Sequence, residues 1–407
     1  MFRPATIQSL VALLILSVVT RTTLLALICT LLLVTAALAW VWNRWSLARV
    51  SCEHELSQRQ ALPGDEIDLY IRVTNRKLLP IPALYVHDKV AAGLKVIGPH
   101  VTSDRNGGQF IRRVTSLRWY EGVVWHYRVQ CLARGSYQFG PTNLTSGDPF
   151  GFHLSDKEIT TITQLIVYPR FLSLDELGLP PRHPLGMIRA HHLIRDPLRT
   201  VGVRDYHPED PLKDIHWTAT ARTGSLQTRI YEPTTSLEVA IFLDISIFEE
   251  YWLGVDGEQV ERLISATATV AQAGLAEGYA VGLYVNGMPG QYEHLIRLLP
   301  GRNPAQLEYI MATLARLKPY AATSMARLLR DAVHDLSWNT SLLLVSAIAP
   351  EKTCAALTYL HSKGRHVSWL YLGSGTTPKL PGITVHQTLP KQKHSEDVEM
   401  AVEEHQP

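Results

Sequence analysis

Cysteine is scarce in this chain, with four in 407 residues at Cys29, Cys52, Cys131 and Cys354. None forms a Cys-x-x-Cys pair, so neither a zinc site nor a disulfide scaffold is indicated. Cys52 and Cys131 read as buried free thiols. Net charge is scarce too. Lys and Arg number 39 against 37 Asp and Glu, no basic stripe stands out, and nucleic acid is not an expected partner. No glycine-rich phosphate loop precedes a helix, and neither a Gly-x-Ser-x-Gly elbow nor a His-Glu-x-x-His pair is present. These absences weigh against an enzyme.

Long apolar runs are present, and they sit at the N-terminus. Ala5–Thr20 and Thr22–Trp42 are almost wholly apolar, with Arg21 between them. As one helix the run would reach ~57 Å, against a hydrocarbon core of ~30 Å. It would also put Arg21 near the bilayer centre, at about 3 kcal/mol. A hairpin folded at Arg21 removes both problems. With Arg3 before the first span and Arg44 and Arg49 after the second, the positive-inside rule puts both ends in the cytoplasm. Trp40, Trp42 and Trp45 would form an interfacial belt there. A cleaved leader ending near Ala37-x-Ala39 is an alternative, although a leader has one apolar block rather than two. A single span with an external body is another.

Residues 46–170 read as short strands. Glu66–Asn75 and Val123–Cys131 alternate apolar with polar residues, Ala133–Pro141 is a turn and strand, and Thr160–Pro169 closes the series. The spacing predicts an antiparallel β-sandwich. Residues 171–235 form a linker and a polar segment, and His183, His191 and His192 in it lack the spacing of metal ligands on one helix face. From residue 236 apolar strands alternate with helices: Leu237–Ile245, Tyr279–Gly287, Ser341–Ala349 and His366–Gly373 around Gly257–Gly278, Pro304–Leu317, Ser324–Leu336 and Glu351–Gly364. That grammar predicts a mainly parallel, doubly wound α/β sheet over residues 236–375. Residues 376–407 are polar and predicted to be a disordered tail.

Between linker and sheet lies VRDYHPEDPLKDIHWTATARTGSL, from Val203 to Leu226. Asp210 before Pro211 predicts a helix start there, with Leu212, Ile215, His216 and Ala219 on one face and Gly224 as the stop. Arg204, Arg222 and Arg229 can pair with Asp205, Asp214 and Glu232 in a framework cluster. A hydrolase would instead use the Asp210/His216 region.

This stretch resembles the signature of the bacterial domain-of-unknown-function 58 family: Arg-x-Tyr-x-x-Gly-Asp, then Ile-x-Trp, then Ala-Arg-x-Gly-x-Leu. Arg204, Tyr206, Asp210, Ile215, Trp217, Ala221, Arg222, Gly224 and Leu226 match, while Glu209 stands where glycine is usual. Arg134–Phe152 resembles the sandwich of the same family, which ends Asp-Pro-Phe-Gly. The resemblance implies a multi-pass protein of the bacterial inner membrane with a von Willebrand factor A-like domain. It implies a scaffold or adaptor role beside a MoxR-type AAA ATPase and a transglutaminase-like membrane protein. It also implies a divalent-ion motif, Asp-x-Ser-x-Ser, with a later threonine and aspartate. Here Asp244 and Ser246 match, Phe248 replaces the second hydroxyl, Thr323 is the candidate threonine, and Val345-Ser346-Ala347 lacks the aspartate. Mg²⁺ prefers carboxylate-rich octahedral oxygen sites, so this degenerate set predicts weak metal binding or none. A metal-dependent adhesion module using Asp244 and Ser246 is the alternative. Ligands of open α/β sheets sit beyond the strand carboxyl ends, which makes Phe248, Tyr251 and Trp252 candidates for partner contact.

Overall fold

The computed structural model describes residues 4–104, 108–147, 149, 154–177, 179, 194–208, 210–234, 238–248, 256–288 and 295–388. His183, His191, His192, Glu209, Tyr251, Trp252 and the Asp-Pro-Phe-Gly run at 148–151 (Pro149 apart) lie outside these residues, as does 389–407. The chain divides into two units, 1–170 and 171–407.

The first unit opens with helices α1 (Pro4–Val19) and α2 (Thr23–Ser46), which pack side by side. Arg21 separates them with a left-handed φ of 52°. The helix-breaking arginine thus becomes the turn. Among the described residues α2 is the one helix long and apolar enough to cross a membrane, and α1 is shorter. The connection from α2 to β1 (Val50–Leu56) is Leu47, Ala48 and Arg49 alone.

The strands that follow are β2 (Gln60–Ala61), β3 (Glu66–Asn75), β4 (Ile81–Val90), β5 (Leu94–Ile97), β6 (Val101–Ser103) and β7 (Gln109–Leu117). Then come β8 (Gly122–Cys131), β9 (Gly135–Phe139), β10 (Thr142–Gly147), β11 (Leu154–Ile159) and β12 (Thr163–Val167). One sheet runs β1-β3-β8-β5, a second β11-β10-β4-β7-β6, and a third, smaller one β2-β12-β9. Period-two alternation builds the sandwich. In β3, Ile67, Leu69, Ile71 and Val73 are buried while Tyr70 and Arg72 point out. They share one core with Leu84, Val86, Ile111 and Leu144 of the facing sheet.

The second unit contains β13 (Ile194–Asp205), a 3₁₀ turn (Leu212–Asp214), α3 (Trp217–Thr223) and β14 (Gln227–Thr234), with β13 and β14 paired antiparallel. Residues 194–234 of the expected linker and signature segment thus form a hairpin in which β13 pairs with β14. Then come β15 (Glu238–Leu243), α4 (Gly257–Ala276), β16 (Ala280–Val285), β17 (Ile296–Gly301), α5 (Gln306–Arg316) and α6 (Met325–Ala332). The last elements are β18 (Ser341–Ser346), α7 (Glu351–Ser362), β19 (Val367–Tyr371) and β20 (Thr384–Gln387).

The sheet order is β17-β16-β15-β18-β19-β20, parallel except for β17 at one edge. Strands β16, β18 and β19 are buried at every residue, as both faces are covered. Ala240 and Phe242 pack with α6 and α7, so Val239, Ile241 and Leu243 face the other way, where α4 lies against the sheet. The sixth strand corrects the expected tail. Thr384–Gln387 pairs in parallel with Ser368–Tyr371, and the sheet extends beyond residue 375.

Candidate functional site

The chain passes from β15 to β16 and β17 on one side, then crosses to β18 on the other. The strand order therefore reverses between β15 and β18, the place where open α/β sheets present ligands beyond their carboxyl ends. Asp244 and Ser346 lie there, and the Asp244 N–H donates to the Val345 carbonyl at 2.9 Å.

Asp244 is buried and already engaged. Its Oδ1 accepts from the Ser246 N–H at 2.9 Å and from the Asn286 side-chain amide at 2.6 Å. The same Asn286 amide lies 3.2 Å from the Ser246 hydroxyl, while its carbonyl oxygen accepts from the Ile245 N–H at 2.9 Å. Asn286 is itself buried, directly after β16. Burial pushes the Asp244 carboxyl above the usual range, against the pull of its bonds to Ser246 and Asn286.

An N–H donor thus bridges the two oxygens that a cation would need. The Ser346 hydroxyl donates to the Ile348 carbonyl at 2.9 Å and accepts from the Trp369 indole N–H at 2.9 Å. The Thr323 N–H reaches the Asn286 backbone carbonyl at 3.3 Å, which puts the candidate threonine beside the cluster through its backbone. The donor set does not fit a divalent ion: it holds one carboxylate, and a hydrogen-bonded amide binds that carboxylate. Among the described residues no three His, Cys, Asp or Glu side chains converge. Phe248 on the same loop is 39% exposed.

Asn286 carries no motif that spacing alone would single out. Its one signal is a polar residue between the apolar strand AVGLYV and Gly287.

The signature hairpin is a second place. The Arg204 guanidinium donates to Asp210 at 2.6 Å, and the His207 N–H donates to the other Asp210 oxygen at 3.0 Å. Those bonds, the His207 amide first, hold Asp210 below the ordinary carboxylate range. The expected pairings change accordingly. Asp205 accepts from the Gln227 side chain at 2.6 Å, while the expected pairing to Glu232 lies outside the described side chains. Asp210 does not start the helix. The helix begins at Trp217, where His216 is the cap and its Nδ1 accepts the Ala219 N–H at 3.1 Å. Pro211 instead leads into the 3₁₀ turn, because its ψ of 130° is extended. Gly224 closes α3 with φ +73°, a conformation glycine adopts at low cost.

Asp210 and His216 thus hold the hairpin: Asp210 accepts from Arg204 and the His207 amide, and the His216 Nδ1 accepts from Ala219. Outward, the hairpin displays three large apolar side chains among polar ones such as Lys213 and Thr218. Trp217 is 67% exposed, Leu212 70% and Leu226 44%, and Arg222 is exposed on the same short helix. Tyr206 is half-buried and fixed by its N–H bond to the Leu226 carbonyl at 2.9 Å.

A relative in Bacillus subtilis (strain 168), the uncharacterized protein YeaD, is 23% identical over 244 residues, or 59% of this chain and 56% of that protein. The match thus spans little more than half of the relative's length. Among solved structures, a type II cohesin domain from the cellulosome of Acetivibrio cellulolyticus overlaps 30% of this chain and 95% of its own, at 13% identity and TM-score 0.23. The CARDB domain of the PF1109 protein from Pyrococcus furiosus overlaps 29% and 89%, at 15% identity and TM-score 0.20. Overlaps this low carry no argument about function. Residues 202–363, from the signature hairpin to α7, match the family described as Protein of unknown function DUF58.

Proposed function

We propose that this protein is a membrane-anchored, non-enzymatic adaptor that docks another protein on its second unit. In this reading α1 and α2 form a hairpin in a bacterial inner membrane, with the soluble units on the cytoplasmic side. The six-stranded unit is a von Willebrand A-like domain whose ion motif has degenerated. The partner class, a MoxR-type AAA ATPase with a transglutaminase-like membrane protein, follows from the signature resemblance, as does a role in assembling or maturing protein complexes.

The observation that supports docking is the display of Trp217. A large aromatic at 67% exposure, with Leu212 and Leu226 on the same hairpin, is the composition of an interface core rather than of ordinary surface. The caps at His216 and Gly224 hold α3 in place without a partner. The Asn286 bridge across Asp244 and Ser246 supports recognition that needs no metal.

The test is capture of a purified MoxR-type ATPase by the full chain in detergent, with and without a chelator, comparing the parent with Trp217→Ala. The adaptor reading expects capture that survives chelation and falls at least about tenfold in the variant, the scale of an interface hot spot. Capture lost on chelation and in Asp244→Ala would instead favour the metal-dependent module. Turnover of a substrate that disappears in Asp210→Asn or His216→Gln would favour a hydrolase.

A further inference from the structure

The end of the sandwich that receives α2 carries an exposed apolar lip. The three residues between Ser46 and Val50 hold that end within ~14 Å of the last helical residue, at about 3.5 Å per step. Two crossovers close the same end: residues 76–80 join β3 to β4, and 118–121 join β7 to β8. The first is pinned to the segment at the end of α2, and the second is pinned to the first. The Arg76 N–H donates to the Arg49 carbonyl at 3.1 Å, and the Lys77 ammonium donates to the carbonyls of Ser46 and Ala48. The Tyr120 N–H donates to the Lys77 carbonyl at 3.2 Å. The Asn75 amide joins the loops, donating to Leu79 and Arg118 carbonyls at 3.0 and 2.8 Å.

Between these fixed points three large side chains face outward. Leu78 is 74% exposed, Trp119 64% and Tyr120 65%. Tyr120 is held at φ +52°, a region non-glycine residues occupy only where the surroundings impose it. Arg49, Arg76 and Arg118 are exposed around them, with Arg76 in a loose surface pair with Glu53 at 3.5 Å. An α2 of 24 residues is ~36 Å long against a ~30 Å hydrocarbon core. Its polar last turn therefore sits at headgroup depth, with Trp45 exposed on it and Trp40 exposed one turn earlier. The lip lies at that level. Tyr and Trp favour this layer, and arginine favours its anionic lipids.

We propose that Leu78, Trp119 and Tyr120 rest in the headgroup layer of the leaflet from which α2 emerges, with Arg49, Arg76 and Arg118 against anionic lipid. The sandwich then has two attachments to the bilayer, the helix and the lip, and stands at a fixed tilt. The inference rests on α2 being a membrane span and holds for either leaflet.

The test uses the full chain, carrying Cys354→Ser, in vesicles of phosphatidylethanolamine and phosphatidylglycerol. Nitroxides are attached at Leu78→Cys, Tyr120→Cys, Leu132→Cys or Leu31→Cys, and their collisions with oxygen and with a water-soluble nickel chelate are measured. Leu132 is exposed just past the far end of β8, ~30 Å from the lip at 3.4 Å per residue. The oxygen-to-chelate ratio is expected to be several-fold higher at 78 and 120 than at 132. Equal ratios at 78, 120 and 132, with Leu31 shielded from the chelate, would overturn the lip and leave the span intact. A chelate-accessible Leu31 would overturn the span and the lip together.

Discussion

His54 and Asp88 meet across the sandwich. His54 comes from one sheet and Asp88 from the other, and Nε2 and Oδ2 lie 2.5 Å apart with both side chains buried. Each sits on the core-facing side of its strand, where the alternation elsewhere places aliphatic residues. The pair is a polar strut through an apolar layer.

Removing one partner leaves the other buried and uncompensated. Asp88→Ala or His54→Ala is expected to cost about 3–5 kcal/mol of stability. Replacing both with leucine is expected to cost less than the sum of the single changes, since the uncompensated group disappears. Denaturant unfolding of the single and double variants checks this. Additive losses would show that the two side chains act independently.

Trp217 and Arg222 are expected to separate stability from docking. Trp217→Ala and Arg222→Ala should each change stability by no more than about 0.5 kcal/mol, as exposed substitutions do, while weakening partner capture. Gly224→Ala should behave in the opposite way. It loses about 1 kcal/mol through its left-handed backbone, because a Cβ there meets nothing within 4 Å. Thermal melts and capture assays on the three variants decide the matter, and unfolding of Arg222→Ala would restore it to the framework.

Asp244 carries a pH signature. Burial raises its folded pKa, so the native state holds this proton more tightly than the unfolded chain does. Below the ordinary carboxylate pKa of ~4 both states are protonated and no penalty arises. As the pH rises above that value, this group makes the native state progressively less stable, up to its raised folded pKa. Asp244→Asn keeps an acceptor for Ser246 and Asn286 and removes the titration. Its melting temperature should exceed the parent's by a margin that widens from pH 4 upward, and Mg²⁺ should shift neither protein. A constant margin would contradict the burial argument.

The thiols should report folding rather than topology. Burial, first among the causes, pushes Cys52 and Cys131 up to about 11, so little thiolate forms at pH 8. Both are expected to resist maleimide in the native protein and to react at least about a hundredfold faster once unfolded, as the thiolate fraction recovers and access opens. Cys354, half-buried, should label first. Rapid native labelling of Cys52 would show that the sandwich core opens.

Local patterns carried the regular elements. The alternation in EIDLYIRVTN marked β3 from Glu66 to Asn75, and the apolar runs AIFL, GLYV and LLLV marked the central strands. The strand β4 escaped notice because Pro82 and the buried Asp88 disguise its apolar face. The edge strand β17 escaped because Pro300 sits in it and only its pairing with β16 makes it a strand. Asp-Pro is a strong helix opener by residue type and predicts α3 too early, whereas the His216 cap needs a ring nitrogen aimed at Ala219. For the candidate site, Asp244 and Ser246 stood out by spacing. Asn286 lies 42 residues from Asp244, and no local rule joins two strand ends across a sheet.

β20 runs parallel to β19, so the polypeptide leaves the last strand among the described residues at the edge where Asp244 and Phe248 lie. A bulky label attached at Thr388, where the described chain leaves β20, would crowd any visitor to that edge. Handles for purification or imaging belong instead on the far ends of the strands, for example in the turn between α7 and β19.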